Sequence, residues 1–264
     1  MSSPLTIGIG GAHSAVGKTT LAAALLRYFA KSNKPLPPHP PLGKGGLRGG
    51  GRWGAIKYTK TPFYSSVVDD RLVLAQKGKD TAKMLEAGAE EVLWVRSPSG
   101  GLGEVLPLAL ERLSHLDGIL IEGNSAIEFL KPDIVIFLGG TCLESFKPSA
   151  LVVMKLADIF VVKERGGAEA LRKAFAFSHA RISTPVLYIG RFHGSEIKTL
   201  TDCIEKITMR KNIEKLLKEK AVDGKIACGL ARKIAEELGA PYKEVGAAAD
   251  ELKIKIKNCE LGCF

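Results

Sequence analysis

The residues best suited to chemistry gather first in residues 10–21, GGAHSAVGKTTL. A Gly-Lys-Thr triplet that follows an apolar run and opens a helix-like one is the pattern of a phosphate-binding loop. Counted from Gly11, five residues precede Gly17, one more than such a loop carries. Starting at Ala12 restores the frame: Ala12-His13-Ser14-Ala15-Val16-Gly17-Lys18-Thr19 reads as one small residue, four variable positions and Gly-Lys-Thr. The first position must be small because the backbone turns tightly there and approaches phosphate; alanine meets that need. Loop amides around Ser14, Ala15, Val16 and Gly17, with the positive end of the following helix, are expected to hold phosphates. Lys18 would place a point charge on the β- and γ-phosphates, and the Thr19 hydroxyl would ligate Mg²⁺. A lysine at a helix start is otherwise unfavourable beside the positive end of the helix dipole.

Such a loop needs an acid to orient the metal, usually at the end of a neighbouring strand. In DGILIEGN (117–124) Glu122 closes an apolar run, so its carboxylate should emerge at the carboxyl edge of a sheet. Asp117 precedes the run and falls at the opposite edge. The alternative for Glu122 is a capping acid ahead of a helix over 125–130. With Lys18 neutralising phosphates and Glu122 positioning magnesium, the loop amides would stabilise charge building on the β- and γ-phosphates. No residue stands out as a strong general base, which predicts a weak NTPase or a site completed by a partner.

The elements that must position these groups follow from periodicity. Continuous apolar runs at 5–10, 53–58, 91–95, 118–122, 134–138, 159–162 and 185–189 read as buried strands. Helical patterns at 18–32, 81–86, 103–115 and 167–179 alternate with them. This order predicts an α/β fold, a mostly parallel sheet flanked by helices, over residues 1–200. Residues 33–52 interrupt it with a Pro cluster followed by a Gly cluster, expected to be an inserted flexible loop, with a functional lid as the alternative. From 201 to 264 the pattern turns helical, predicting a small all-helical domain. Residues 228–253 suggest two helices joined at 239–241, a helix-turn-helix-like pair that would serve as a docking module or, alternatively, contact DNA.

Charge and cysteines narrow the class. The chain carries a formal +10, of which Lys34, Lys44, Arg48 and Arg52 in the acid-free stretch 34–52 supply +4; the rest is spread among acids. That balance draws polyanions, nucleotides included, without demanding nucleic acid. No apolar run approaches a membrane span and the start lacks a secretory pattern, so a cytoplasmic chain with no membrane association is expected. Five cysteines favour free thiols or a metal site over disulfides. Cys228, Cys259 and Cys263, joined by Cys203 or His193, could contribute to a zinc or iron–sulfur site, with ordinary thiols as the alternative.

GAHSAVGKTT with a strand ending in IEGN resembles the branch of phosphate-loop proteins that holds dethiobiotin synthetase and the cobyrinic acid amidotransferases. AIKYTKT (55–61), GKDTAKMLEAGAEEVLWV (78–95) and DGILIEG (117–123), in this order and spacing, are similar to the molybdopterin-guanine dinucleotide biosynthesis protein B family in particular. The likeness spans roughly residues 5–138. It implies a P-loop NTPase fold, a GTP (or ATP) ligand and assistance to a molybdopterin nucleotidyltransferase in molybdenum-cofactor assembly, with homodimer formation. Carried over by position, Gly17, Lys18, Thr19 and Thr20 would hold phosphate and magnesium, with Glu122 on the metal. Lys57 would lie near the phosphates or an anionic pterin, Lys79 and Asp80 in a loop facing the same cleft, and Asp69 and Asp70 near the metal. An Asn-Lys-x-Asp base reader is missing, since the strand at 159–162 ends in Lys163-Glu164, so guanine and adenine both stay open. Rival readings are an ATP-dependent ligase, with Lys57 gripping a substrate carboxylate, and a nucleotide-switched DNA-binding regulator.

Overall fold

The computed structural model describes residues 3–32, 51–140, 146–178 and 184–258. Of the expected insertion 33–52 only Gly51 and Arg52 fall inside that range. Strand β1 (Leu5–Gly11) leads through the Gly-Lys-Thr loop into α1 (Lys18–Lys31), and β2 (Trp53–Lys60) follows. Next come β3 (Ser66–Val68), α2 (Arg71–Leu74), α3 (Asp80–Glu86), β4 (Glu91–Ser97) and α4 (Leu102–Arg112). The series continues with β5 (Gly118–Glu122), α5 (Asn124–Leu130), β6 (Ile134–Leu138), α6 (Pro148–Leu156), β7 (Ile159–Val162), α7 (Arg165–Ser178) and β8 (Val186–Tyr188). Together the strands form one sheet in the order β3-β4-β2-β5-β1-β6-β7-β8, parallel throughout except for the antiparallel β3–β4 edge. This is the expected α/β architecture.

The strands read as unbroken apolar runs because helices cover both sheet faces. Ile56, Tyr58, Ile119, Ile121, Val135 and Phe137 join α4, α5 and α6 in one buried cluster. Residues of opposite parity, Trp53 among them, face α1, where Phe29 stacks on the Trp53 indole at 4.1 Å. The strand order places β5 between β1 and β2, so the connections leaving β1 and β5 pass each other. In open parallel sheets that crossing leaves a crevice at the carboxyl edge, the usual ligand position.

The described residues fall into two compact units, 3–32 with 51–201, and 202–258. The second unit begins within α8 (Gly194–Lys220) and continues through β9 (Lys225–Ala227), α9 (Cys228–Leu238), α10 (Tyr242–Glu251) and β10 (Lys255–Lys257). Gly239 ends α9 in the left-handed conformation and Pro241 precedes α10, forming the turn expected at 239–241. The tail is not helical throughout, because β9 and β10 pair in parallel with Ile226 opposite Ile256. Three-residue strands are too short to show a period in the sequence; what they contribute is Ile226, buried beside Ile234, Leu238, Val245 and Ile254. Among the described residues no helix is long and apolar enough to cross a membrane.

At the amino edge of the first unit, the Trp53 indole lies on Gly118, its register partner; a Cβ on Gly118 would come 2.5 Å from the ring. Held by Phe29 on its other side, Trp53 cannot retreat. Gly118→Ala is therefore expected to cost about 1–3 kcal/mol, seen as a lower chemical-denaturation midpoint.

Candidate functional site

Register and parity bring the acid and a base together. In parallel pairing Lys57 of β2 stands opposite Glu122 of β5, and Glu122 stands opposite Ile9 of β1. Side chains alternate across a strand, so Trp53 and Lys57 share a face, as do Gly118 and Glu122. Trp53 packs on Gly118 and Phe29 there, so Lys57 and Glu122 face α1 at the carboxyl edge. Gly123, not Glu122, caps α5.

The loop joining β1 to α1 has the geometry of a candidate phosphate cradle. Ala12 is fully buried; its N–H donates to the Leu138 carbonyl and its own carbonyl accepts from the Lys147 N–H, both at 2.9 Å. Those bonds fix the first small position of the frame. Ala15 (φ 62°) and Gly17 (φ 111°) take positive φ. Gly17 supplies no side-chain cap, and the first turn of α1 carries no acid, so the positive helix end is left for an anion. Asn124 pins the end of β1 through two bonds of 3.0 Å, its Oδ1 accepting from the Gly11 N–H and its Nδ2 donating to the Gly11 carbonyl.

Ammonium groups ring this loop. Lys18 folds back so that its Nζ donates to the His13 carbonyl at 2.8 Å. Lys147 Nζ donates to Ser14 Oγ at 2.8 Å. Lys163 Nζ lies over Gly17, where an added Cβ would sit 3.2 Å from it. Burial holds the Lys18 ammonium below its ordinary range, the charges of Lys57 and Lys147 add to that, and Glu122 opposes it. An anion among these lysines would relieve the crowding.

The acidic side of the site is a closed set. Glu122 is 2% exposed. One of its oxygens accepts from Thr19 Oγ1 at 2.8 Å and the other from Lys57 Nζ at 2.5 Å. Lys57 Nζ also meets Asp80 Oδ2, on the first residue of α3, at 2.7 Å. Burial disfavours both charges of that pair. For Lys57, Glu122 and Asp80 outweigh burial and leave its pKa raised. Asp80 stays below its ordinary range because the hydrogen bond and charge of Lys57, with Lys83 and the Thr19 hydroxyl, outweigh burial. Two carboxylates and a hydroxyl are hard oxygen donors suited to Mg²⁺, which takes one or two protein carboxylates and completes its shell with water and phosphate. Among the described residues no group of three or more His, Cys, Asp or Glu could hold a metal by itself.

The structure thus brings Ser14, Ala15, Val16, Gly17, Lys18 and Thr19 of the loop together with Glu122, Lys57 and Asp80. Thr20 is exposed, one position past the residue that meets Glu122. Asp69 pairs with Arg112 at 3.0 Å and Asp70 caps α2 through the Leu72 N–H, contacts that do not join the set around Glu122. Lys79 turns from the cleft, with Nζ 4.9 Å from the Trp94 ring centroid and donating to the Val73 carbonyl. Cys259 and Cys263 lie outside the described residues, and Cys228 starts α9 in the second unit. Reasoning from sequence did not single out Lys147 or Asn124, and noted Lys163 only as the end of a strand. Asn124 has a legible signal, an amide directly after the Glu-Gly that ends β5.

No protein-family model matches this sequence, and no curated protein matches it. Solved structures similar to it include HypB from Helicobacter pylori in complex with nickel, at 10% identity, covering 79% of this chain and 89% of that one, with a TM-score of 0.44. Chloroplast FtsY from Physcomitrella patens is 15% identical over 77% of this chain and 66% of its own, with a TM-score of 0.38. A nucleotide-binding protein from Archaeoglobus fulgidus in complex with ADP is 12% identical over 77% and 87%, with a TM-score of 0.33. At such identities and scores they carry no functional argument.

Two outcomes follow from the hydrogen bonds and ion pairs. Asn124→Ala would strand the buried Gly11 N–H and carbonyl and cost about 1–3 kcal/mol in thermal or chemical denaturation. With its folded pKa below the ordinary 3.8, Asp80 contributes stability above that value, lost as pH falls through the lowered one. Lys57, raised above 10.5, contributes below that value and loses its contribution as pH rises through the raised one. The melting-temperature gap between wild type and Asp80→Asn should therefore stay constant from about pH 5 to about pH 9 and close in stronger acid.

Proposed function

We propose that the chain is a magnesium-dependent nucleoside-triphosphate-binding protein, taking GTP or ATP and hydrolysing it slowly, that assists molybdenum-cofactor assembly beside a molybdopterin nucleotidyltransferase. The observation that carries the nucleotide reading is the buried Thr19–Glu122 hydrogen bond, which joins the first turn of the loop helix to the acid of a neighbouring strand. Thr19, Glu122 and Asp80 would hold Mg²⁺, and the loop amides with Lys18, Lys147 and Lys163 would hold the phosphates. The metal, when bound, supplies charge neutralisation on the transferring phosphoryl group. Slow turnover follows because Glu122 and Asp80, the carboxylates beside the loop, would both be engaged by the metal in the loaded site and so would not be poised to take a proton from water. A partner that contributes a group would speed it.

The cofactor-assembly part is supported by the order of motifs over 55–61, 78–95 and 117–123. It is also supported by the meeting of Lys57 and Asp80, which the resemblance carried to the phosphate cleft, beside Glu122. The DNA-regulator alternative draws less support. The second helix of the tail pair, α10, carries Lys243 against Glu244, Asp250 and Glu251, 1 − 3 = −2, a charge repelled by the phosphate backbone.

Lys18→Ala is expected to weaken binding of fluorescent GTP and ATP analogues with magnesium by about 10- to 100-fold, the worth of a charge-assisted contact. Equal binding by the folded variant would overturn the phosphate-loop reading. For the assembly role, adding the chain with GTP should raise the yield of molybdopterin dinucleotide made by a purified nucleotidyltransferase; an unchanged yield removes that role and leaves nucleotide binding intact.

A further inference from the structure

The Lys57 ammonium sits where the oxygen donors of a cation site converge. Its Nζ lies 2.5 Å from Glu122 Oε1 and 2.7 Å from Asp80 Oδ2, while Glu122 Oε2 takes the Thr19 hydroxyl at 2.8 Å. The Glu122 side chain is 3% exposed and that of Lys57 16%, so solvent screens their contact poorly and reaches the set from the side of Asp80, 39% exposed. Two carboxylates brought this close stay ionised together most readily with a cation between them, and the chain supplies one from its own strand. The oxygen donors come from three elements, β5, α1 and α3, and the ammonium from a fourth, β2, which only the fold brings together.

We infer that Lys57 is an internal counter-cation holding the place of magnesium, that Asp80 is a second protein carboxylate of that place, and that loading a magnesium-nucleotide displaces the ammonium. The inference rests on reading Thr19 and Glu122 as holders of the metal. A dication on the same oxygens would face the ammonium at contact range in a water-poor site, and two like charges so placed repel strongly. Because Lys57 is anchored in β2 opposite Glu122, its freed side chain remains beside the loop, where phosphates are available to pair with it. Its tie to α3 through Asp80 is broken in the same step, so α3 would register whether the site is loaded.

The test uses the full chain without nucleotide and Mn²⁺ as the probe, read by electron paramagnetic resonance. Lys57→Met should bind Mn²⁺ at least about tenfold more tightly than wild type, and adding Glu122→Gln to it should remove the gain. A folded Lys57→Met that binds Mn²⁺ no better than wild type overturns the inference. Should that variant not fold, Asp80→Asn decides. Its affinity for GTP and ATP in chelator should equal that of wild type, while the tightening that magnesium brings should shrink by about tenfold. Full magnesium dependence in Asp80→Asn overturns the inference. Failure of the wild type to bind either nucleotide would sink the proposed function by itself, and the Mn²⁺ comparison would still be decided.

Discussion

A carboxylate 2% exposed at the end of a central strand is stable only while donors and a cation face it. Glu122 imposes that condition on its surroundings. Its two oxygens are satisfied separately, one by Thr19 at the start of α1 and the other by Lys57 on β2. Those bonds fix where the loop helix starts relative to the sheet, and therefore where the loop amides sit. Asp80 then follows, because Lys57 has room for a second carboxylate and α3 begins beside it.

The pairing of β2 with β5 makes this arrangement available. The same register that sets Lys57 opposite Glu122 sets Trp53 opposite Gly118 four residues earlier. An indole lying on a glycine, backed by Phe29, is a shape match that does not tolerate a slip. A slip of one residue would exchange the faces of β2, sending Lys57 into the apolar cluster of Ile56 and Tyr58 and leaving Glu122 without its cation. The amino edge of the strand pair thus guards the chemistry at its carboxyl edge. Asn124 does similar work on the other side of β5, tying the start of α5 to the last residue of β1.

What the sequence made legible follows what is local. Unbroken apolar runs between helical patterns announced the parallel α/β sheet, since burial on both faces leaves no alternation to read. The loop frame from Ala12 was legible because each of its demands falls on one short stretch, and Glu122 because an acid closing an apolar run has few other uses. β3, α2, β9 and β10 were not legible, being three or four residues long with no period to detect. Lys57 and Asp80 came only through resemblance, as nothing in their own neighbourhoods marks them. Asp69 and Asp70 were carried toward the metal by the resemblance, whereas their surroundings gave them Arg112 and a helix start. Lys147 and Lys163 belong to separate connections that only the strand order β1-β6-β7 brings to one loop.

The balance of charge shows what these distant residues accomplish together. Around the loop stand Lys18, Lys57, Lys147 and Lys163 against Glu122 and Asp80, 4 − 2 = +2. The excess is felt within the chain, because burial and the neighbouring ammoniums together depress Lys18. A free triphosphate would satisfy the lysines but press its own charge against two carboxylates. A metal alone would satisfy the carboxylates but add to the crowd of cations. A magnesium-nucleotide, still net negative and carrying its cation at one end, matches both halves at once. Under the proposed reading the site selects the pair over either component, and Lys57 holds the acidic half together until that pair arrives.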